Sequence, residues 1–425
     1  MPTYRTEPLQ TWGKIKEMRQ KHFLSIMNAR EEGKLLAVSQ LNAPKEVLQG
    51  IGEVVHFTSE SFAADIARYQ DLALECMEEV EKRGFARDLC SYMRLHWGSM
   101  LLNKSPWGGF PKPDFAFQFT MCDSQAKWYQ FTSEYLGIPY FAAEVPYDGG
   151  DGTHRVKESH VDYCVGQFEE FIDWLEKFSG RQYDDDRLIE AVSNYYICRR
   201  LYAEIMQLNQ AVPAPLEMKS LYSLFIPAEF FPHKKEAVEV YRELYDEVKY
   251  RVDNQIAGVA NEQRRLLYEG LPPWSFLDFL RYLKYNGIAV VGGTYQFHHL
   301  QEGRFEPDKP AEYEPLPRNR QEALRLRARA MVEQLKMGED IPLKVKDIMA
   351  AVKAWKCDGV VLMINRGCYH RSLGVMEIRA ALRQAGIPTM LYEMNMADHR
   401  DWSQVQIMDA MESFIESLGV APVAA

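Results

Sequence analysis

DFAFQFTMCDSQAKWYQFTSEYLGIPYFAAE, residues 114–144, decides the fold, because DGVVLMINRGCYHRSLGVMEIRAALRQAGIPTMLYE, residues 358–393, repeats its plan. Each stretch runs from an aspartate into an apolar strand, then a short loop, a cysteine and a helix. Each closes with Gly-Ile-Pro, a second apolar strand and a glutamate. Gly137-Ile138-Pro139 answers Gly386-Ile387-Pro388, and Cys122 answers Cys368. A strand, a helix and a second strand at this spacing form a βαβ unit with parallel strands. Two such units predict an α/β chain with two parallel sheets.

Working outward, residues 1–34 read as a polar helical lead-in. Leu35–Gln40 and Glu53–Thr58 read as strands, with Pro44 placed to open a helix between them. Residues 60–83 read as helical, a further helix starts near Cys90, and Pro106–Pro113 is a loop. Apolar residues from Val161 to Phe178 recur in steps of three or four, the period of an amphipathic helix. Asp184–Asp186 can cap another helix running to about Asn209, which Pro213 and Pro215 end. The domain junction is placed there, giving 1–34 as lead-in, 35–212 as the first α/β domain and 213–425 as the second. Helical segments are expected up to about residue 285, with the second sheet starting at Ile288–Gly292. A polar loop carrying Pro307, Pro310, Pro315 and Pro317 follows, then a basic helix over 320–336 and a closing helix from Val405 to Leu418.

The chain has 425 residues, 47% of them hydrophobic and 26% charged, enough to bury large cores without disulfides. A net charge of −10 argues against nucleic acid as a partner. No apolar run reaches the length of a membrane span, and the N-terminal stretch lacks the apolar core of a signal peptide. A cytoplasmic location is therefore expected, where the seven cysteines would be reduced thiols.

In each half, a cysteine follows a buried strand and precedes a helix. That is the carboxyl edge of a parallel sheet, where open α/β folds place their ligands. A helix N-terminus there would lower the thiol pKa. Cys90 also stands at a helix start. Three thiolates from distant segments suit an iron–sulfur cluster with one iron left open. No CxxC is present, so zinc or a nucleophilic cysteine remains an alternative at this point. Cys76, Cys164, Cys198 and Cys357 read as packing residues.

LCSYMRLHWGSML around Cys90, PDFAFQFTMCDSQAKWY around Cys122, DGVVLMINRGCYHRSLGVMEIR around Cys368, and GIPTMLYEMNMAD carry a family likeness. The chain resembles the 2-hydroxyacyl-CoA dehydratase and benzoyl-CoA reductase family over about residues 35–418. VPYDGGDGTH, LYEGLPPWSF and IAVVGGTYQF resemble the larger cluster-bearing subunit of the ATP-dependent (class I) aryl-CoA reductases. The resemblance implies two Rossmann-like domains joined by a helical connector, with a [4Fe–4S] cluster held in the interdomain cleft by Cys90, Cys122 and Cys368.

The resemblance also implies an anaerobic hetero-oligomer that degrades aromatic compounds. Its partners would be a related second catalytic subunit, separate ATP-hydrolysing iron–sulfur subunits that inject electrons, and ferredoxin upstream. In agreement, the chain lacks a GxxxxGK[ST] phosphate loop. The implied reaction is reduction of benzoyl-CoA or a substituted relative to a cyclic dienoyl-CoA. The alternatives are a radical 2-hydroxyacyl-CoA dehydratase and an electron-transfer module without a substrate site. His370 and His96, near Cys368 and Cys90, are candidate proton donors. Ser39 and Glu46, where the family's subunits contact acyl-CoA, and Trp107 are candidate substrate contacts.

Overall fold

The computed structural model describes residues 3–147, 149–297 and 313–421. His298, His299, Pro307 and Pro310 lie outside the described residues. The first half contains β1 (Leu35–Ser39), β2 (Val54–Thr58), β3 (Phe115–Thr120) and β4 (Tyr140–Glu144). Its helices are α1 (Trp12–Asn28), α2 (Ser59–Ile66), α3 (Gln70–Lys82), α4 (Ser91–Leu102), α5 (Asp123–Leu136), α6 (Glu158–Ser179) and α7 (Asp185–Leu208). The second half contains β5 (Arg264–Glu269), β6 (Ile288–Gly292), β7 (Gly359–Asn365) and β8 (Thr389–Met394). Leading into and between those strands are α8 (Met218–Phe230), α9 (Lys235–Asp253), α10 (Asp278–Tyr285), α11 (Thr294–Phe297), α12 (Arg320–Glu339) and α13 (Ile341–Ala354). The remainder are α14 (Tyr369–Ser372), α15 (Val375–Gln384) and α16 (Gln404–Ser417).

The two sheets have matching orders, β2-β1-β3-β4 and β6-β5-β7-β8, and every strand pair is parallel. The repeated sequence signals do the same work in both. The Asp114 carboxylate accepts the Leu36 N–H at 2.7 Å, and the Asp358 carboxylate accepts the Arg265 N–H at 2.7 Å. Each aspartate therefore pins the start of its strand to the central neighbour. Gly137 and Gly386 take positive φ, 64° and 72°, where the preceding helices stop. The carbonyls of Pro139 and Pro388 then accept the N–H groups of Ala116 and Val360, setting the next strand in register.

The pleat splits the first sheet between two cores. Leu36, Val38 and Ala116 face one, while Ala37, Phe115, Phe117 and Phe119 face the other with Phe168 and Phe171 of α6. Leu324, Met331 and Leu335 of α12 close that second core. A helix from late in the chain thus completes the first sheet's packing.

Three expectations change. Residues 60–83 are two helices, broken between Ile66 and Gln70. The helix expected from Pro44 is a single 3-10 segment, Val47–Ile51. The second sheet starts at β5, in a stretch read as helical. RRLLYE consists largely of good helix formers, and its extended form comes from pairing with β6 and β7 on both sides. The two terminal nitrogens of the Arg265 guanidinium donate to the carbonyls of Trp355, Asn209 and Ala211, contacts that only the tertiary fold supplies.

Candidate functional site

Cys90, Cys122 and Cys368 each occupy the residue before a helix, at the N-terminal ends of α4, α5 and α14. Cys122 follows β3 and Cys368 follows β7, so the repeat puts them at corresponding sheet edges. All three are half-buried and line one cavity of about 750 Å³. Its wall draws on both halves of the chain. Tyr92, Trp128, Tyr222, Phe225, Trp274 and Tyr295 give it an aromatic lining.

The loops that carry the thiols are held tightly. Gly367 has φ 77°, and a Cβ there would lie 3.1 Å from the Leu89 carbonyl oxygen. The Cys368 loop thus packs against the residue that precedes Cys90. Asn365 O accepts the Cys368 N–H, and Ser372 Oγ accepts the Asn365 N–H. Lys344 Nζ donates to the carbonyls of His370 and Leu373. On the other side, Arg94 donates to Leu89 O and pairs with Asp398 and Glu81.

The thiol electrostatics differ from the sequence expectation. Burial pushes Cys90 up to about 12, and Cys368 adds to the rise. Burial raises Cys122 too, assisted by Cys90 and Cys368. Burial likewise raises Cys368, against the lowering effect of the Arg371 backbone N–H. Helix-start N–H groups do favour the thiolates, but burial and mutual repulsion outweigh them. The three thiols therefore feel one another and stay protonated unless a positive centre joins them.

Among the described residues, no group of three or more His, Cys, Asp or Glu side chains is placed to hold a metal ion. Thiolates around one zinc would stand within roughly 4 Å of each other, given Zn–S bonds of about 2.3 Å. A polynuclear cluster accepts thiolates set wider apart, and cationic iron would offset the burial and repulsion that otherwise keep the thiols neutral. Three mutually coupled thiols facing one aromatic cavity fit such a cluster in donor chemistry.

Of the other sequence candidates, His370 lines the cavity. Its Nδ1 lies 3.3 Å from Glu339 Oε1, and burial pushes its imidazole pKa down. Gly338 makes room for its ring, which a Cβ at 338 would overlap. His96 does not reach the cavity. It is fully buried, its Nδ1 accepts the Trp128 Nε1–H at 3.0 Å, and burial pushes it down to about 3. It is a neutral core histidine at physiological pH.

Ser39, Glu46 and Trp107 are also outside the cavity wall. Ser39 bonds His56 at 2.7 Å, Glu46 pairs with Arg327 at 2.8 Å, and Trp107 stacks on Phe23 while donating to Asp65. Ser39, one Glu46 carboxylate oxygen and the Trp107 indole N–H are thus engaged by structural partners, while Glu46 Oε1 is buried with no hydrogen-bond partner among the described residues.

Sequence reasoning missed Glu60. It stands in the first turn of α2 and lines the cavity. Its carboxylate accepts the Leu41 N–H at 2.9 Å and the Gln125 side-chain N–H at 3.4 Å. Burial outweighs these bonds and raises its pKa to about 7. Nothing in the spacing of Thr58-Ser-Glu60 distinguishes it from an ordinary helix start. Arg371 also lines the cavity, its guanidinium 5.8 Å from the Tyr295 ring centroid.

The profile of the family described as 2-hydroxyglutaryl-CoA dehydratase, D-component, matches residues 40–418. The (R)-2-hydroxyisocaproyl-CoA dehydratase alpha subunit of Clostridioides difficile is 25% identical over 95% of this chain and 94% of its own. The (R)-phenyllactyl-CoA dehydratase alpha subunit of Clostridium sporogenes is 24% identical over 92% and 94%. A benzoyl-CoA reductase subunit of Thauera aromatica is 25% identical over 80% and 78%.

Proposed function

Because this chain belongs to the 2-hydroxyglutaryl-CoA dehydratase D-component family, we propose that it is a catalytic subunit acting on a CoA thioester with an aromatic or bulky apolar acyl group. Cys90, Cys122 and Cys368 would hold an iron–sulfur cluster between two Rossmann-like domains. When bound, that cluster supplies low-potential single electrons. The observation that carries the reading is the shared cavity: three thiols from three chain segments face one aromatic chamber.

The chain's own residues supply the rest. The aromatic wall packs the acyl group and excludes water, which protects reactive intermediates. Glu60 holds a proton near neutral pH at the cavity surface and can give it up there. Arg371 puts a fixed positive charge beside Cys368, where negative charge on a thioester carbonyl would be stabilised. His370, held by Glu339, orients a second polar group into the chamber.

The first reading is dearomatising reduction of an aryl-CoA, supported by the aromatic wall and by likeness to the benzoyl-CoA reductase chain. The second is radical dehydration of a 2-hydroxyacyl-CoA. The dehydratase alpha subunits support it, because they align over more of this chain and more of their own length. Relatives named as alpha subunits of their enzymes support a partner subunit in either case, and the 23% identity of this chain to an (R)-phenyllactyl-CoA dehydratase beta subunit supports its being a related one. Separate ATP-hydrolysing donor subunits, fed by ferredoxin, complete the proposal.

The assembled enzyme decides between the two readings by ATP consumed per product. A reductase consumes ATP at every turnover, whereas a dehydratase recycles its electron and needs ATP only for priming. Substoichiometric ATP use would sink the reductase reading. An unperturbed cluster spectrum with every aryl- and hydroxyacyl-CoA would sink both and leave an electron-transfer module.

A further inference from the structure

The chain passes from one core to the other at Asp340. Leu324, Met331 and Leu335 of α12 pack in the core that holds Phe168 and Phe171 of α6, while Ile348, Ala351 and Val352 of α13 belong to the core that holds β7 and α15. Asp340 ends α12 and caps α13, its Oδ1 accepting the Leu343 N–H at 3.0 Å. The residue is 1% exposed, so its second oxygen needs partners from elsewhere in the fold. They come from the loop between β4 and α6. In GGDGTH, residues 149–154, the Gly152 N–H donates to Asp340 Oδ2 at 2.9 Å. Asp151 meets the buried Lys336 ammonium at 2.9 Å, and Asp340 meets the same ammonium at 3.4 Å. His154 Nε2 stands 2.9 Å from Asp347 Oδ1 on α13. Gly152 has φ 70°, and a Cβ there would stand 3.3 Å from Pro342 Cβ, so the loop follows this path closely only as glycine.

The same turn holds Cys368. The helix that Cys368 opens, α14, has four residues, too few to keep its own conformation. Its place is therefore set by what surrounds it. Gly338 leaves room for the His370 ring, and Ile341 packs on Gly374, where a Cβ would stand 3.0 Å from Ile341 Cγ1. Lys344 Nζ donates to the carbonyls of His370 and Leu373 at 3.3 and 3.0 Å. Gly338, Ile341 and Lys344 follow one another at steps of three across Asp340. Two braces thus reach the Cys368 loop from the first half. One is Leu89 against Gly367, and the other is segment 149–154 acting on the α12–α13 turn.

Resting on the reading that the three cysteines serve one centre, we infer that residues 149–154 form a strap which, through Asp340, sets where Cys368 stands relative to Cys122. Asp151 and Asp340 are positioning residues. Both lie outside the cavity wall, and each acts through the turn that carries Gly338, Ile341 and Lys344. Cys90 and Cys122 both come from the first half, at the starts of α4 and α5, so their spacing does not depend on the strap. Loosening the strap releases one thiol of the three.

The test uses the full-length chain stripped of metal, so that no bound ion pins the thiols. Hydrogen exchange read by mass spectrometry follows the opening of residues 366–374. Dibromobimane, which bridges neighbouring thiols, reports which cysteines stand together. Asp151→Ala acts at a half-exposed side chain and is expected to speed exchange in 366–374 about threefold, the scale of one exposed ion pair. Asp340→Asn is expected to speed it about tenfold or more, the scale of a hydrogen bond to a buried charge. In both variants Cys122–Cys368 bridging is expected to fall while Cys90–Cys122 bridging persists. Arg325→Ala, which breaks the ion pairs of α12 with Glu158 and Asp162, is expected to change neither readout. Unchanged exchange in the Asp151 and Asp340 variants would overturn the strap. So would a rise shared by α5 and β7, or an equal rise in the Arg325 variant, since general loosening and not Asp340 would then be at work. Iron content of the wild type as purified tests the shared centre separately: its absence would sink the cluster reading and leave the strap to the exchange result.

Discussion

Gly367 packs against Leu89 so closely that a Cβ would stand 3.1 Å from the Leu89 carbonyl oxygen. This contact joins the loop that ends in Cys368 to the loop that ends in Cys90, although the two are far apart in sequence. Gly367 also has φ 77°, a region that residues with a Cβ rarely adopt. Gly367→Ala is therefore expected to destabilise the fold by about 1–3 kcal/mol and to separate the two thiols. Urea unfolding and iron content of anaerobically purified protein read the two effects. Wild-type values of both would show that the contact does not set the site.

A second tie lies behind Cys90. Arg94 is fully buried and lies 3.1 Å from both Asp398 and Glu81, while Arg400 bonds the same two carboxylates. Removing one partner of a buried pair typically costs about 3–5 kcal/mol, and because Glu81 still faces Arg94 the loss here falls at the low end of that range. Asp398→Asn is expected to cost that order of stability by denaturant unfolding. Burial alone would raise the Asp398 pKa, but the Arg400 side chain and backbone N–H, then Arg94, draw it down to about 2. The folded value lies below the unfolded one of about 3.9. Its stabilisation is therefore present above about pH 4 and lost as the pH falls toward 2. A variant with wild-type stability at pH 7 would contradict the assignment.

Glu60 titrates at about 7 in its buried setting. Its protonated, donating form is present below that pH and is lost as the pH rises through it. Turnover limited by proton delivery should then fall above about pH 7. Glu60→Gln is expected to reduce kcat by about 100-fold or more and to remove that limb of the pH profile. Near-normal turnover with the limb intact would exclude Glu60 as the donor.

The repeat made the fold legible. Asp114 and Asp358 clamp their strands, and the two Gly-Ile-Pro segments stop a helix and start a strand, so each signal in the text has a local cause. The convergence of Cys122 and Cys368 followed from the same repeat. β5 was illegible because Arg264–Glu269 carries no strand alternation and owes its extended form to neighbours on both sides. Glu60 was illegible because its pKa depends on a chamber whose walls come from the whole chain. Ser39 and Glu46 were placed by resemblance and Trp107 by its nearness in sequence to the ligands, and their side chains engage His56, Arg327, and Phe23 and Asp65. His96 was chosen for nearness in sequence to Cys90, but on α4 it points into the core.

Cys90, Cys122 and Cys368 are proposed to hold one iron–sulfur cluster. Iron, acid-labile sulfide and zinc should be measured in anaerobically purified assembled enzyme, beside C90S, C122S, C368S and the control C164S, whose parent thiol is buried away from the cavity. Iron and sulfide are expected in the wild type and the control, with loss in each of the three variants. Zinc without iron, or iron retained when any of the three is replaced, would contradict it.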